Sequence, residues 1–185
     1  MKNKVLLIID IQNDYFEGGR MPLEGSYEAS LNAKKLLDEF RRLGGSVVHV
    51  QHIATRPGST FFLPGTDGAL IHENVRPASG EIVVEKSSPN SFASTSLETY
   101  LKSLHADTLF VCGMMTQMCV DATVRAARVK GYEILLAHDA CATRPMEFAG
   151  RKVSALDVQT AFIASLGGFY SRPLPTEEIL AMLRS

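Results

Sequence analysis

The 185-residue chain predicts an α/β fold with a mostly parallel sheet, helices on both faces and right-handed crossovers. Two observations carry this. Short apolar runs of strand length alternate with longer stretches whose apolar residues recur at helical spacing. The first of those runs is continuous Val/Leu/Ile rather than alternating, as a strand covered on both faces requires.

In order, strand one is Lys4 to Asp10. Its apolar stretch Val5-Leu-Leu-Ile-Ile9 is too short for a signal sequence or a membrane span and is closed by a charge. Ile11 to Gly19 is a loop rich in turn formers. A helix capped by Ser26 carries Tyr27, Leu31, Leu36, Leu37, Phe40 and Leu43 until Gly44-Gly45 ends it. Strand two is Ser46 to Ile53. From Ala54 to Gly80 there is almost no periodicity, and loops of that length often cover a site. Strand three is Glu81 to Glu85, leading into Lys86. A helix over 94–104 follows, then strand four, Thr108 to Gly113, a tight polar turn, and a helix whose first turn carries Cys119. Gly131 closes that helix. Strand five is Tyr132 to Ala137, with His138-Asp139 beyond its end. The pattern then predicts a long helix over 147–166 stopped by Gly167-Gly168, a sixth short strand at Phe169-Tyr170, and a terminal helix over 175–183.

Composition bounds the function. A hydrophobic content of 45% over this length supports one core and one domain spanning 1–185. The net charge of −1, without basic or acidic blocks, supplies no footprint for nucleic acid or a membrane surface, so the expected ligand is a small molecule. A cytoplasmic location is expected. Cys112, Cys119 and Cys141 lack CxxC spacing, which argues against a disulfide framework and a structural zinc site.

Ligands of open α/β sheets bind beyond the C-terminal ends of the strands. Asp10 ends strand one, Lys86 ends strand three, and Cys119 follows strand four shortly after. A carboxylate able to take a thiol proton, with an ammonium favouring the charged pair, suits attack on a carbonyl. A helix start would further favour thiolate. Singly, each residue has an ordinary reading as a buried inert thiol, a turn-capping aspartate or a solvated lysine. Their joint placement carries the argument.

Leu6-Leu-Ile-Ile-Asp-Ile-Gln-Asn-Asp-Tyr-Phe16, the Lys86 position, and Gly113-Met-Met-Thr-Gln-Met-Cys-Val-Asp-Ala-Thr-Val-Arg-Ala-Ala127 together resemble the isochorismatase-like cysteine hydrolases, which include N-carbamoylsarcosine amidase and nicotinamidase. The resemblance runs over nearly the whole chain. It implies a three-layer α/β/α fold with a six-stranded, mostly parallel sheet in the order 3-2-1-4-5-6, and a catalytic triad of Asp10, Lys86 and Cys119. It also implies a cis peptide between Met114 and Met115, an oxyanion hole from the Met115 and Cys119 amides, no cofactor, and a homo-oligomer, dimer or tetramer, with the 54–80 segment a candidate contact.

Departures from the family pattern sharpen the expectation. Metal-binding nicotinamidases carry Asp-x-His after strand two, whereas this chain reads His49-Val-Gln-His-Ile-Ala-Thr55. His49 and His52 are three apart on a strand and point to opposite faces, so no metal is expected. His52, near the strand end, is expected to border the pocket, and His72 and His105 to lie on the surface. Isochorismatases proper commonly replace the cysteine; keeping Cys119 favours carbon–nitrogen hydrolysis over vinyl ether cleavage. Phe16, Phe61 or Phe62, Met115 and Thr116 are the expected pocket walls. The expected activity is hydrolysis of a small amide or carbamoyl compound through a thioester. Isochorismatase-type ether hydrolysis and a non-catalytic binding protein stay open.

Overall fold

A computed structural model describes residues 3–184. The elements are β1 (Lys4–Ile9), α1 (Ser26–Arg42), β2 (Ser46–His52), β3 (Ile82–Lys86), α2 (Leu97–Ser103), β4 (Thr108–Met114), α3 (Asp121–Val129), β5 (Glu133–Ala142), β6 (Met146–Phe148), β7 (Arg151–Val153), α4 (Ala155–Phe169), β8 (Arg172–Leu174) and α5 (Thr176–Arg184). The six-stranded sheet runs β3-β2-β1-β4-β5-β8 with every pair parallel. This is the expected order, with the hairpin β6–β7 standing apart from it.

Alternation along β1 makes the three layers. Leu6 and Ile8 join Leu36, Leu37 and Phe40 of α1 and Ile179 of α5 in one core. Val5, Leu7 and Ile9 join Leu97 and Leu101 of α2, Val124 of α3 and Leu166 of α4 in the other. A fully buried Leu or Ile contributes about 1.5–3 kcal/mol of transfer free energy, so this central strand anchors both faces.

Connections leave β1 and β4 in opposite directions, which makes their C-terminal ends the switch point of the sheet. Gly113 lets the two strands close up there. A Cβ on it would lie 2.1 Å from the Ile9 carbonyl oxygen, and its φ is +142°.

Three expectations need correction in the last third of the chain. The predicted helix over 147–166 is a hairpin followed by a helix. Ala149 and Gly150, with φ of 49° and 75°, form a two-residue turn with both residues left-handed, which reverses β6 into β7. An Ala-Gly pair lacks the Asn-Gly signature that marks such turns, and Val153, three residues before Leu156, extends the helical spacing back into the hairpin. The helix begins only where Ser154 Oγ accepts the Asp157 N–H at 3.1 Å. Second, Gly167-Gly168 does not stop α4, which continues to Phe169; each glycine inside a helix costs only about 1 kcal/mol against alanine, and Gly167 lets the helix approach β8, since a Cβ on it would lie 3.1 Å from the Pro173 ring. Third, the sixth strand is Arg172–Leu174, not Phe169-Tyr170.

Strand β5 also outruns its prediction. Its register to β4 jumps from Val111↔Leu136 to Gly113↔Cys141, placing His138 and Asp139 in a bulge. Asp139 uses the bulge to accept the Thr176 N–H and hydroxyl at 2.8 and 2.7 Å, tying down the start of α5. The 54–80 segment folds back over the sheet end, with Phe62, Ala69 and Val75 buried against its own chain. Among the described residues, no helix is long and apolar enough to cross a membrane.

Candidate active site

Three strand ends bring Asp10, Lys86 and Cys119 together. Asp10 follows β1 in a left-handed conformation, φ 50°, with its N–H donated to the Val50 carbonyl at 3.0 Å. Aspartate is one of the few residue types that visits this region readily. Lys86 closes β3 and pairs in register with His52 of β2. After β4 comes a cis peptide between Met114 and Met115, then one π-helical turn, Thr116–Val120, that carries Cys119 into α3. Single π turns of this kind are frequent at functional sites. All three side chains are buried, with 0, 4 and 5% of Asp10, Lys86 and Cys119 exposed.

The Lys86 ammonium is the hub. Its Nζ lies 2.7 Å from Asp10 Oδ2 and donates to Cys119 Sγ at 3.2 Å, to the Ser88 carbonyl at 3.0 Å and to His52 Nδ1 at 3.1 Å. The Asp10 contact is a close ion pair with poor hydrogen-bond angles, and apart from it neither carboxylate oxygen has a well-aligned hydrogen-bond partner among the described residues. A buried carboxylate left in that state calls for a chemical reason.

The charges follow from the packing. Burial alone would lower the Lys86 ammonium, but the charges of Asp10 and Cys119 outweigh it and hold the group above its ordinary value. Burial, reinforced by Asp10 and opposed by Lys86, pushes the Cys119 thiol well up. The resting site therefore holds a thiol beside a carboxylate and an ammonium, and the helix start does not by itself make a thiolate. Burial and then the Lys86 charge push His52 below its ordinary value, so its ring is neutral at pH 7.

Asp10, His52 and Cys119 place donor atoms within 4.8 Å of one another, a spacing a metal ion could use. The Lys86 ammonium already stands among them, and an incoming metal ion would meet its like charge.

The rest of the first loop builds the surroundings. Gln12 clamps β2: its Oε1 accepts the His52 N–H at 2.7 Å, and its Nε2 donates to the carbonyls of His52 and Ala69 at 2.9 and 2.8 Å. Tyr15 packs edge-on against Phe62 with ring centroids 4.6 Å apart, and Phe62 lies 5.9 Å from the His52 ring. Burial pushes the Tyr15 phenol well up, with the charges of Cys119 and Asp10 adding and Arg144 opposing.

Of the expected pocket walls, His52 touches Lys86 and Phe62 packs near the His52 ring, whereas Phe16 turns elsewhere. Its ring stacks on His72 at 3.7 Å, which also takes His72 out of the freely exposed set. The aromatic that packs on Phe62, next to His52, is its neighbour Tyr15, and adjacent aromatics at a one-turn 3-10 helix, Asn13–Tyr15, carry no periodicity to separate them. Thr116 is fully buried and braces the π turn: its hydroxyl is 2.7 Å from Gln159 Oε1 and 3.2 Å from the Ala142 carbonyl. Met115 is buried beside Cys119, and its carbonyl accepts from the Met118 and Val120 N–H groups. His105 is exposed, as expected.

The chain's relatives agree with this architecture. The Isochorismatase domain family matches residues 4–166. The uncharacterised isochorismatase family protein YddQ of Bacillus subtilis is 47% identical over 175 residues, covering 95% of this chain and 97% of that protein. An isochorismatase hydrolase structure from Oleispira antarctica has a TM-score of 0.94 at 44% identity, covering 97% of each chain. N-carbamoylsarcosine amidase of Arthrobacter is 37% identical over 76 residues, covering 41% of this chain and 29% of that protein. With a six-stranded sheet in the expected order and the family matched over most of its length, the chain belongs to the isochorismatase family of hydrolases.

Proposed function

We propose that the protein hydrolyses an amide or carbamoyl C–N bond of a small molecule through a Cys119 thioester. The observation that carries this reading is the buried carboxylate of Asp10, ion-paired to the Lys86 ammonium at 2.7 Å and set within 4.8 Å of the Cys119 thiol, which the same ammonium touches. Asp10 takes the Sγ proton as the sulfur attacks the carbonyl carbon, so the proton moves only when a bond forms and the raised thiol is no obstacle. The tetrahedral oxyanion accepts hydrogen bonds from the Met115 and Cys119 amides, single members of such pairs being worth ~3 kcal/mol of barrier lowering. Protonated Asp10 gives its proton to the nitrogen, the C–N bond breaks, and the amine leaves. Water, losing a proton to Asp10, attacks the thioester; the C–S bond breaks and Cys119 regains its proton. Lys86 keeps the local charge balanced in both halves. The named activity of the Arthrobacter amidase and the retained cysteine support a C–N bond over a vinyl ether.

The reading includes a homo-oligomer. Leu156 and Phe169 of α4 and Phe148 of the hairpin are 74, 69 and 87% exposed, and a helix apolar on more than its core side is normally covered. Sedimentation at micromolar concentration should give more than one subunit; a monomer throughout would remove this part.

Ammonia release from a panel of small amides and carbamoyl compounds tests the reaction. Wild type should release ammonia from at least one, and Cys119→Ala from none. A Cys119→Ala protein with wild-type turnover overturns the scheme.

A further inference from the structure

His52 is more than a wall of the site, because its ring proton is placed by its neighbours. Gln12 grips its backbone from both sides, and Phe62 packs against its ring. An ammonium has three N–H bonds and accepts none. Lys86 Nζ has four neighbours, Asp10 Oδ2 at 2.7 Å and, in hydrogen-bond geometry, the Ser88 carbonyl, Cys119 Sγ and His52 Nδ1, and a proton on Nδ1 would point at an ammonium unable to accept it. Nδ1 must therefore be the unprotonated nitrogen, and in a neutral ring the proton sits on Nε2. That atom has no protein partner among the described residues, yet it is not among the sealed polar atoms, and the residue is only half-buried. The Nε2–H is therefore open to a ligand, on a ring that borders the thiol: one of its two nitrogens lies within 4.8 Å of Cys119 Sγ.

We infer that His52 is held as the Nε2–H tautomer by Lys86 and donates that hydrogen bond to an oxygen acceptor, a carbonyl or carboxylate, carried by the substrate close to the carbonyl that Cys119 attacks. This rests on the reading of Cys119 as the attacking group. It assigns His52 to orienting the substrate, and it selects against compounds whose only neighbouring groups are apolar or donors. The selectivity follows because a donor left unpaired on binding is costly.

Two measurements decide it. Nitrogen-15 NMR of the histidine-labelled, unliganded protein at pH 7 should show His52 Nδ1 unprotonated and Nε2 protonated. An Nδ1–H tautomer or an imidazolium overturns the inference. This readout needs no turnover, so it stands or falls separately from amide hydrolysis. The second compares two amides as replacements on the hydrolysed substrate. His52→Gln can restore an N–H near the Nε2 position, whereas His52→Asn can only replace the Nδ1 acceptor. The expected result is a KM raised about tenfold or more in His52→Asn, the loss of one hydrogen bond of roughly 1.4 kcal/mol, with the Gln variant within about threefold of wild type. Equal KM values for the two variants, whether raised or not, overturn the donor role.

Discussion

The buried carboxylate of Asp14 accepts the backbone N–H of Phe62 across 48 residues of chain, at 2.6 Å. Its other oxygen accepts the Arg20 N–H at 3.1 Å. Gly68 passes so close that a Cβ on it would lie 2.2 Å from Asp14 Oδ1. The 54–80 segment is therefore wound around one carboxylate, and that winding sets Phe62, at φ 54°, between Tyr15 and His52.

Asp14→Asn should loosen this wall without touching the thiol. The amide cannot accept on both sides, and a hydrogen bond to a charged group is worth about 1.5–3 kcal/mol. The expected outcome is a KM raised roughly tenfold with kcat within about threefold of wild type, read from steady-state kinetics on the hydrolysed amide. A variant that loses kcat but keeps KM would place Asp14 in the chemistry instead.

Asp10 and Lys86 form a pair in which each stabilises the other's burial. Asp10→Asn should abolish turnover and also destabilise the protein by about 3–5 kcal/mol, since it leaves the Lys86 ammonium buried without a counter-charge. Adding Lys86→Met should restore most of that stability and none of the activity. Urea midpoints and ammonia release separate the two effects; an Asp10→Asn protein as stable as wild type would deny the coupling.

Glu81 links α1, β2 and the start of β3. Its carboxylate takes Arg41 Nε at 2.7 Å, His49 Nε2 at 2.8 Å and the Ala78 N–H at 2.8 Å. Burial opposes ionisation, but Arg41, Ala78 and His49 together hold the group down at about 2. A carboxyl depressed in the folded state contributes stability above its unfolded value near 4.5 and loses it as pH falls toward 2. His49 is also held below its ordinary value, by burial against the pull of Glu81; the unfolded state then binds a proton first, and stability falls as pH drops below about 6.5. Denaturant midpoints should decline in both windows for wild type. Glu81→Gln should flatten the lower one, and an unchanged acid limb in that variant would sink the assignment.

Legibility divided along a physical line. The parallel sheet and the three strand ends were readable because strands and their terminating residues are written locally, in apolar runs closed by Asp10, Lys86 and Gly113, whereas the strand order came from the family resemblance. The last third misled because Ala149-Gly150 turns the chain without the usual turn pair, and because α4 runs on through two glycines, the first of them pressed against Pro173.

By itself the sequence determined which residues stand at the C-terminal edge of a parallel sheet, and so that a carboxylate, an ammonium and a thiol would share one end of the molecule. Only the tertiary structure decided that Tyr15 rather than Phe16 packs on Phe62 beside His52, that Thr116 braces the turn, and that Lys86 reaches His52 as well as Cys119. The reason is range. Periodicity and capping act over a few residues, whereas these choices rest on contacts between segments tens of residues apart, made in loops where no repeat records which way a side chain turns.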